Sequence, residues 1–371
     1  MLLSAFVLYS QPLMGADPVD TARPVPPSRP EMKKLLEDMK SRPLRIPLPE
    51  LTAEEREQLG ERAESYESRL RFHYLPPQEE SVFGSRGRRE SSSNSSTSGS
   101  PESTTARRDF TRNSDENMTL TYEFKTMLFW IVSRTNNCQY CLGHQEQKLS
   151  AAGLTELQIA ALDADWSRYT PAERAAFAYA RKLTYEPHRL GDDDISALRE
   201  YYTADQILEM TLSVAGNNAI NRWKEGTGVP QSQSGLSFFR RFEGSLPSDR
   251  PLPIESFLTP TPAEFQNSVS VVAPMELDSS GKPTGRGISS RLPLESRADV
   301  EAMLASSRTR KPRLPLVSEA ETRKLFEDVS SQKTVPNWLR LMANFPNESR
   351  RRVRSINAID HSEGDLTPLL K

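Results

Sequence analysis

The sequence predicts an all-α fold on three observations. Helix-start signatures recur, apolar residues repeat at helical spacing, and no run alternates apolar and polar residues as a half-buried strand would. The helix-rich block is 118–228. Leu120, Phe124, Met127, Leu128, Ile131 and Val132 recur at three- and four-residue steps and predict a helix over Leu120–Thr135. Asn136-Asn137 breaks it, and Asn137 can cap the next helix, which ends near Gly153. Thr155 with Gln158, Thr170 with Glu173 and Thr203 with Gln206 are capping boxes, in which a threonine hydroxyl and the side chain three residues on satisfy each other's backbone N–H groups. They open a short helix, a helix to about Leu183 with Pro171 at its first position, and a helix over about Ala204–Trp223 with Gly226 as its stop. Asp192 or Asp193 caps a further helix over about Asp194–Tyr201.

The flanks are of a different kind. Residues 17–80 form an N-terminal arm: a Pro-rich lead with a short helix over Pro30–Lys40, then a capping box at Thr52 and Glu55 opening a helix to about Phe72. Residues 81–117 read as a disordered linker, since 11 of the 15 residues from Ser91 to Thr105 are Ser or Thr and cannot bury enough apolar surface to order themselves. Residues 229–290 are a second Pro/Ser-rich linker, with short docked segments such as Phe238-Phe239 expected within it.

Residues 291–371 repeat the arm. Ser28-Arg29 through Arg45-Ile46-Pro47-Leu48 recurs without a gap, 268 positions later, as Ser296-Arg297 through Arg313-Leu314-Pro315-Leu316. Leu120-Thr121 and Lys125 recur as Leu366-Thr367 and Lys371. The second copy thus holds the lead-in of a repeated unit and stops before the position matching Cys138, so the expectation is a truncated second repeat. A short duplicated arm with its own role is the alternative.

Composition excludes several classes. A net charge of −2 points away from nucleic acid and from anionic membrane surfaces. The best apolar run, Met127–Val132, falls far short of the ~18 residues a membrane span needs. The stretch Leu2–Tyr9 resembles the hydrophobic part of a secretory signal, with a cut after Ala16, although no Lys or Arg precedes it. Export, for instance to a periplasm, is therefore expected, with a cytoplasmic protein as the alternative.

Chemistry concentrates in Asn137-Cys138-Gln139-Tyr140-Cys141-Leu142-Gly143-His144, which holds the only two cysteines of 371 residues. Cys138, Cys141 and His144 stand at i, i+3 and i+6, roughly one helix face. Cys138 is expected in the first helical turn, where free N–H groups and the helix dipole favour a thiolate. Such a pair can cycle between dithiol and disulfide with His144 moving the proton. A zinc site would need a fourth ligand such as His188 or Glu146. Haem attachment requires His directly after the second Cys, where Leu142 stands. A pair of inert buried thiols or a static disulfide is the remaining reading.

The block resembles the carboxymuconolactone decarboxylase and alkylhydroperoxidase D-like superfamily. The resemblance is carried by the helix Glu123–Arg134, the Cys138–His144 motif, Thr170–Leu183, and Ala204–Met210 with Asn217-Asn218 and Asn221-Arg222-Trp223. It implies an alkylhydroperoxidase D-like helical bundle that assembles as trimers or hexamers. It also implies peroxide reduction in which Cys141 attacks the peroxide, Cys138 condenses with the sulfenic acid, and an external dithiol restores the pair with no bound cofactor. Two departures stand out: Thr126 occupies the place of the pattern's Glu, and two residues rather than three separate Cys141 from His144. Glu123 and Glu146 are the nearest acids to take the missing part. The expected function is a thiol-dependent antioxidant peroxidase. The alternatives are a non-catalytic oligomeric module with a structural disulfide, and a decarboxylase acting on a lactone acid.

Overall fold

The computed structural model describes residues 24–74, 115–231, 259–288, 295–326, 334–350 and 352. The signal-like stretch 1–16, most of the Ser-rich linker and Phe238-Phe239 lie outside the described residues. Among the described residues the only regular elements are helices, with two isolated β-bridges.

The central bundle contains α4 (Tyr122–Thr135), α5 (Gln139–Ala152), α6 (Glu156–Ala164), α7 (Pro171–Tyr185), α8 (Asp192–Arg199) and α9 (Ala204–Thr227). The three capping boxes form as expected, at Thr155, Thr170 and Thr203. Two boundaries differ from expectation. Helix α8 starts at Asp192, because the Asp194 carboxylate accepts from the Gly191 N–H at 2.7 Å. Helix α9 passes Gly226 and stops at Gly228, which takes the left-handed conformation (φ 71°) that favours glycine. The extra turn keeps Lys224 and Glu225 on the helix.

Helix α4 is the axis, packed by α5, α7 and α9. Leu128, Trp130, Ile131 and Val132 are fully buried there, against Leu142 of α5, Phe177 of α7 and Val214 of α9.

The arm is part of this core. Helix α1 (Arg29–Asp38) buries Met32 and Leu36 in the same cluster as α4 and α5. Its Arg29 is 1% exposed and grips two carboxylates. Arg29 Nη1 and Nη2 donate to Glu146 at 3.0 and 2.6 Å, and Arg29 Nε donates to Glu156 at 2.8 Å. Lys33 Nζ adds a bond to Glu156 at 2.5 Å, and Trp130 Nε1 donates to Glu146 at 2.6 Å. The long helix expected after Thr52 is broken. Gly60 has φ 54°, so α2 (Ala53–Leu59) passes into a 3₁₀ turn before α3 (Tyr66–Tyr74). That break turns Tyr66 and Glu67 back onto the bundle.

Part of the expected second linker also packs. Phe265 sits against Ala160 and Ala161, Val272 is fully buried in the main core, and Ser270 Oγ bonds the buried Asp163 at 2.5 Å. In the repeated lead-in, α10 (Arg297–Thr309) buries nothing, and its Val300, Met303 and Leu304 are exposed. It is followed by α11 (Glu319–Leu325) and α12 (Asn337–Met342), whose Leu339 joins Phe326 and Val335 in a small separate cluster. Arg45 and Arg313, matched in the two copies, both bind backbone carbonyls near helix ends, of Glu225 and Leu190 respectively.

Truncating Arg29 leaves Glu146 buried and without its guanidinium. Arg29→Ala should destabilise the protein by about 3–5 kcal/mol in urea titration, while Arg29→Met with Glu146→Leu should recover most of that loss. Burial pushes the Glu146 carboxyl up, but the adjacent Arg29 charge and its hydrogen bonds hold it below the ordinary 4.5. The pair therefore stabilises the fold above pH 4.5, and that contribution is lost as acid protonates Glu146.

Candidate functional site

The thiols sit at the α4–α5 corner, and asparagines build it. Asn136 Nδ2 donates to Asn218 Oδ1 at 2.9 Å and Asn221 Oδ1 at 3.0 Å, tying the end of α4 to α9. Asn221 in turn donates to Ser133 Oγ at 3.2 Å. Asn137 adopts the left-handed region (φ 52°), which asparagine tolerates, and the Cys138 N–H closes the turn on the Ser133 carbonyl at 2.9 Å. Asn137 thus ends α4, and Cys138 itself occupies the cap position of α5.

Both cysteines are free thiols, 0% and 2% exposed. They lie within hydrogen-bonding reach of one another and share a cluster with Met39, Tyr140 and Val229, edged by Tyr66, Phe129 and Trp223. Burial pushes the Cys138 thiol well above 9.0, reinforced by its bond to Cys141 and by the Glu225 charge. The expected thiolate-favouring helix terminus is therefore overridden at Cys138 by desolvation, which the sequence motif does not reveal.

Residues 229–231 and the arm form the cover over this corner. Gln231 N–H donates to the Met39 carbonyl at 3.0 Å. Gln231 Nε2 donates to the carbonyls of Gln139 at 3.2 Å and Tyr140 at 2.9 Å. Gly143 makes that contact possible, since a Cβ there would stand 2.2 Å from Gln231 Nε2.

His144 is half-buried one turn beyond Tyr140. Its Nδ1 lies 3.3 Å from the Tyr140 carbonyl, which favours the tautomer carrying hydrogen on Nδ1 and leaves Nε2 as an acceptor. Burial, then the Lys224 and Lys148 charges, lower its pKa to about 4. The imidazole is neutral at pH 7 and enters any proton transfer as a base.

The two candidate acids lie elsewhere. Glu146 is turned toward α1 and bound by Arg29 and Trp130. Glu123 is exposed in the first turn of α4, about 18 Å along the helix from the thiol corner at 1.5 Å per residue. Thr126 is buried, with its hydroxyl on the Tyr122 carbonyl at 2.8 Å. His188 is exposed on a 3₁₀ turn, and no group of three or more His, Cys, Asp or Glu among the described residues has the arrangement of a metal site.

The sequence reading overlooked Glu67 and Lys224. Tyr140 Oη donates to Glu67 at 2.7 Å, Lys224 pairs with the same carboxylate, and Lys224 Nζ lies 4.4 Å from the Tyr140 ring centroid. Glu67 gives no signal in sequence, because only the break at Gly60 brings it here. Lys224 stands one residue past the predicted helix end at Trp223, and only the extra turn of α9 places it here.

Fold and site together define an all-helical module with a buried dithiol at a helix start. Residues 101–182 of this chain match the model of the carboxymuconolactone decarboxylase family. No curated protein shows significant similarity to the chain. Among solved structures, an uncharacterized peroxidase-related protein described as an alkylhydroperoxidase AhpD core, from Ralstonia eutropha JMP134, is 18% identical over 51% of this chain and 93% of its own, with a TM-score of 0.35. A peroxidase-related protein from Silicibacter sp. TM1040 is 20% identical over 31% of this chain and 62% of its own, with a TM-score of 0.29. The debrominase Bmp8 is 24% identical over 31% of this chain and 62% of its own, with a TM-score of 0.28.

A bulky disulfide reagent at pH 7.5 should label the native thiols slowly and the unfolded chain at once. Gly143→Ala should displace Gln231 and speed native labelling several-fold with little change in melting temperature. Titrated by NMR, the His144 ring should stay neutral down to about pH 4. Because the unfolded state takes up this proton near pH 6.5 and the folded state only near 4, stability attributable to His144 declines as pH falls through that interval. His144→Gln should flatten that decline.

Proposed function

We propose that the protein is a thiol-dependent peroxidase working through a Cys138–Cys141 dithiol–disulfide cycle. The observation that carries this reading is the pair of adjacent cysteines at the start of α5, in a segment that matches the carboxymuconolactone decarboxylase family model. Cys141 as thiolate attacks the peroxide, the O–O bond breaks, and Cys141 becomes a sulfenic acid while the alkoxide takes a proton and leaves as alcohol. The Cys138 sulfur then attacks the sulfenic sulfur, expelling water and forming the disulfide. An external dithiol restores both thiols, so two electrons pass from that dithiol to the peroxide. The cycle needs no metal or bound cofactor.

Burial favours a second reading, a non-catalytic oligomeric module in which the pair is structural. Chemistry separates the two. One equivalent of peroxide should remove two hydrogens across Cys138 and Cys141 by mass spectrometry. Cys138→Ser should accumulate a sulfenic acid on Cys141, and Cys141→Ser should not react. Thiols that survive excess peroxide would overturn the peroxidase reading. A disulfide potential well below about −300 mV would favour the structural one. No helix among the described residues is long and apolar enough to cross a membrane. Export, as the signal-like N-terminus suggests, is part of the proposal and is checked by sequencing the mature N-terminus.

A further inference from the structure

Three elements meet beside the thiols with more charge than packing requires. Lys224 of α9 is 4% exposed, and an ammonium this deep is costly unless it is paired. Its partner comes from the arm: Glu67 of α3 pairs with Lys224 and accepts from Tyr140 Oη at 2.7 Å. Lys224 Nζ stands 3.4 Å from Tyr140 Oη and 4.3 Å from the Trp223 ring centroid. Tyr140 stacks on His144 with ring centroids 4.6 Å apart, and it lies in the same buried cluster as both cysteines.

We propose that Glu67 is a positioning residue of the dithiol site, delivered by the N-terminal arm to hold Lys224 charged and Tyr140 oriented, so that protons pass between sulfur and oxygen through Tyr140 Oη and Lys224. The inference rests on the peroxidase reading above. In the first step of that cycle the Cys141 proton must reach the departing alkoxide, and in the second the Cys138 proton must leave with water. Both are sulfur-to-oxygen transfers with no net proton change. His144, flanked by Lys148 of its own helix, Lys224 of α9 and Glu67 of α3, is neutral at pH 7 and has no proton to spare beyond the one on Nδ1. Lys224 and Tyr140 each carry a transferable proton, and Glu67 contacts both. The arm thereby becomes part of the reacting unit as well as its cover.

The test compares wild type with Glu67→Gln, Glu67→Asp and Tyr140→Phe in the full chain, measuring disulfide formation driven by hydrogen peroxide and by diamide. Diamide oxidises thiols without releasing an alkoxide. The expected result is a loss of about tenfold or more in the peroxide rate for Glu67→Gln and Tyr140→Phe, with diamide rates near wild type and partial rescue in Glu67→Asp. Tyr140→Phe keeps the stack on His144 and removes only the hydroxyl, so it reads the relay even where Glu67→Gln loosens the arm. Equal peroxide rates in wild type, Glu67→Gln and Tyr140→Phe overturn the inference, as does a parallel change in the peroxide and diamide rates. A wild type that peroxide leaves reduced overturns the peroxidase reading itself, and this inference with it.

Discussion

Arg29 and Glu146 face each other inside the protein, 1% and 0% exposed, with a bidentate pair of hydrogen bonds between them. Neither charge has solvent to fall back on, so each relies on its partners inside the protein, Arg29 on Glu146 and Glu156, and Glu146 on Arg29 and Trp130. The pair ties α1 to α5 and fixes how the arm enters the bundle. Much follows from that attachment. With α1 in place, Met39 reaches the thiol cluster, Gln231 finds the Met39 carbonyl, and the chain beyond Gly60 can return Glu67 to Tyr140. A second buried pair, Arg134 with Asp163 at 3.0 Å, does similar work on α4, where Arg134 also takes the Pro26 carbonyl.

The same cover sets the chemistry in tension. Excluding water raises the Cys138 thiol and lowers the His144 imidazole, both away from the charged forms. A dry site suppresses chance oxidation and strengthens whatever polar contacts remain inside it. In this corner those contacts are the Lys224–Glu67 pair and the Tyr140 hydroxyl. Reactivity then depends on a few fixed dipoles and charges rather than on solvent.

Helices were legible in the sequence because their signals are local. A threonine with a Gln or Glu three residues on closes its box wherever the chain lies, so Thr155, Thr170 and Thr203 were found directly. The dithiol motif was equally visible. Its electrostatic state was not, because desolvation at Cys138 comes from Met39, Tyr66 and Val229, far off in sequence. Glu146 reads in sequence as a candidate site acid, whereas its burial against Arg29 makes it the anchor of the arm. Glu67 was invisible for the same reason, since a carboxylate's role depends on what folds against it. Val272 lay in what read as linker, because one buried valine leaves no periodicity.

Among the positions at which the two copies of the arm differ, one reverses charge. Lys33 of α1 meets Glu156, whereas the matched position in α10 is Glu301, which pairs with Arg297 on its own exposed helix. Were α10 to enter the slot that α1 fills, Glu301 would set a second carboxylate against Glu156. Opposite charge at this matched position sets the two segments apart, since the ammonium of Lys33 suits the Glu156 carboxylate and a glutamate there would repel it. Of the two matched helices, one is bound into the core through its lysine, and the other closes its glutamate onto its own surface.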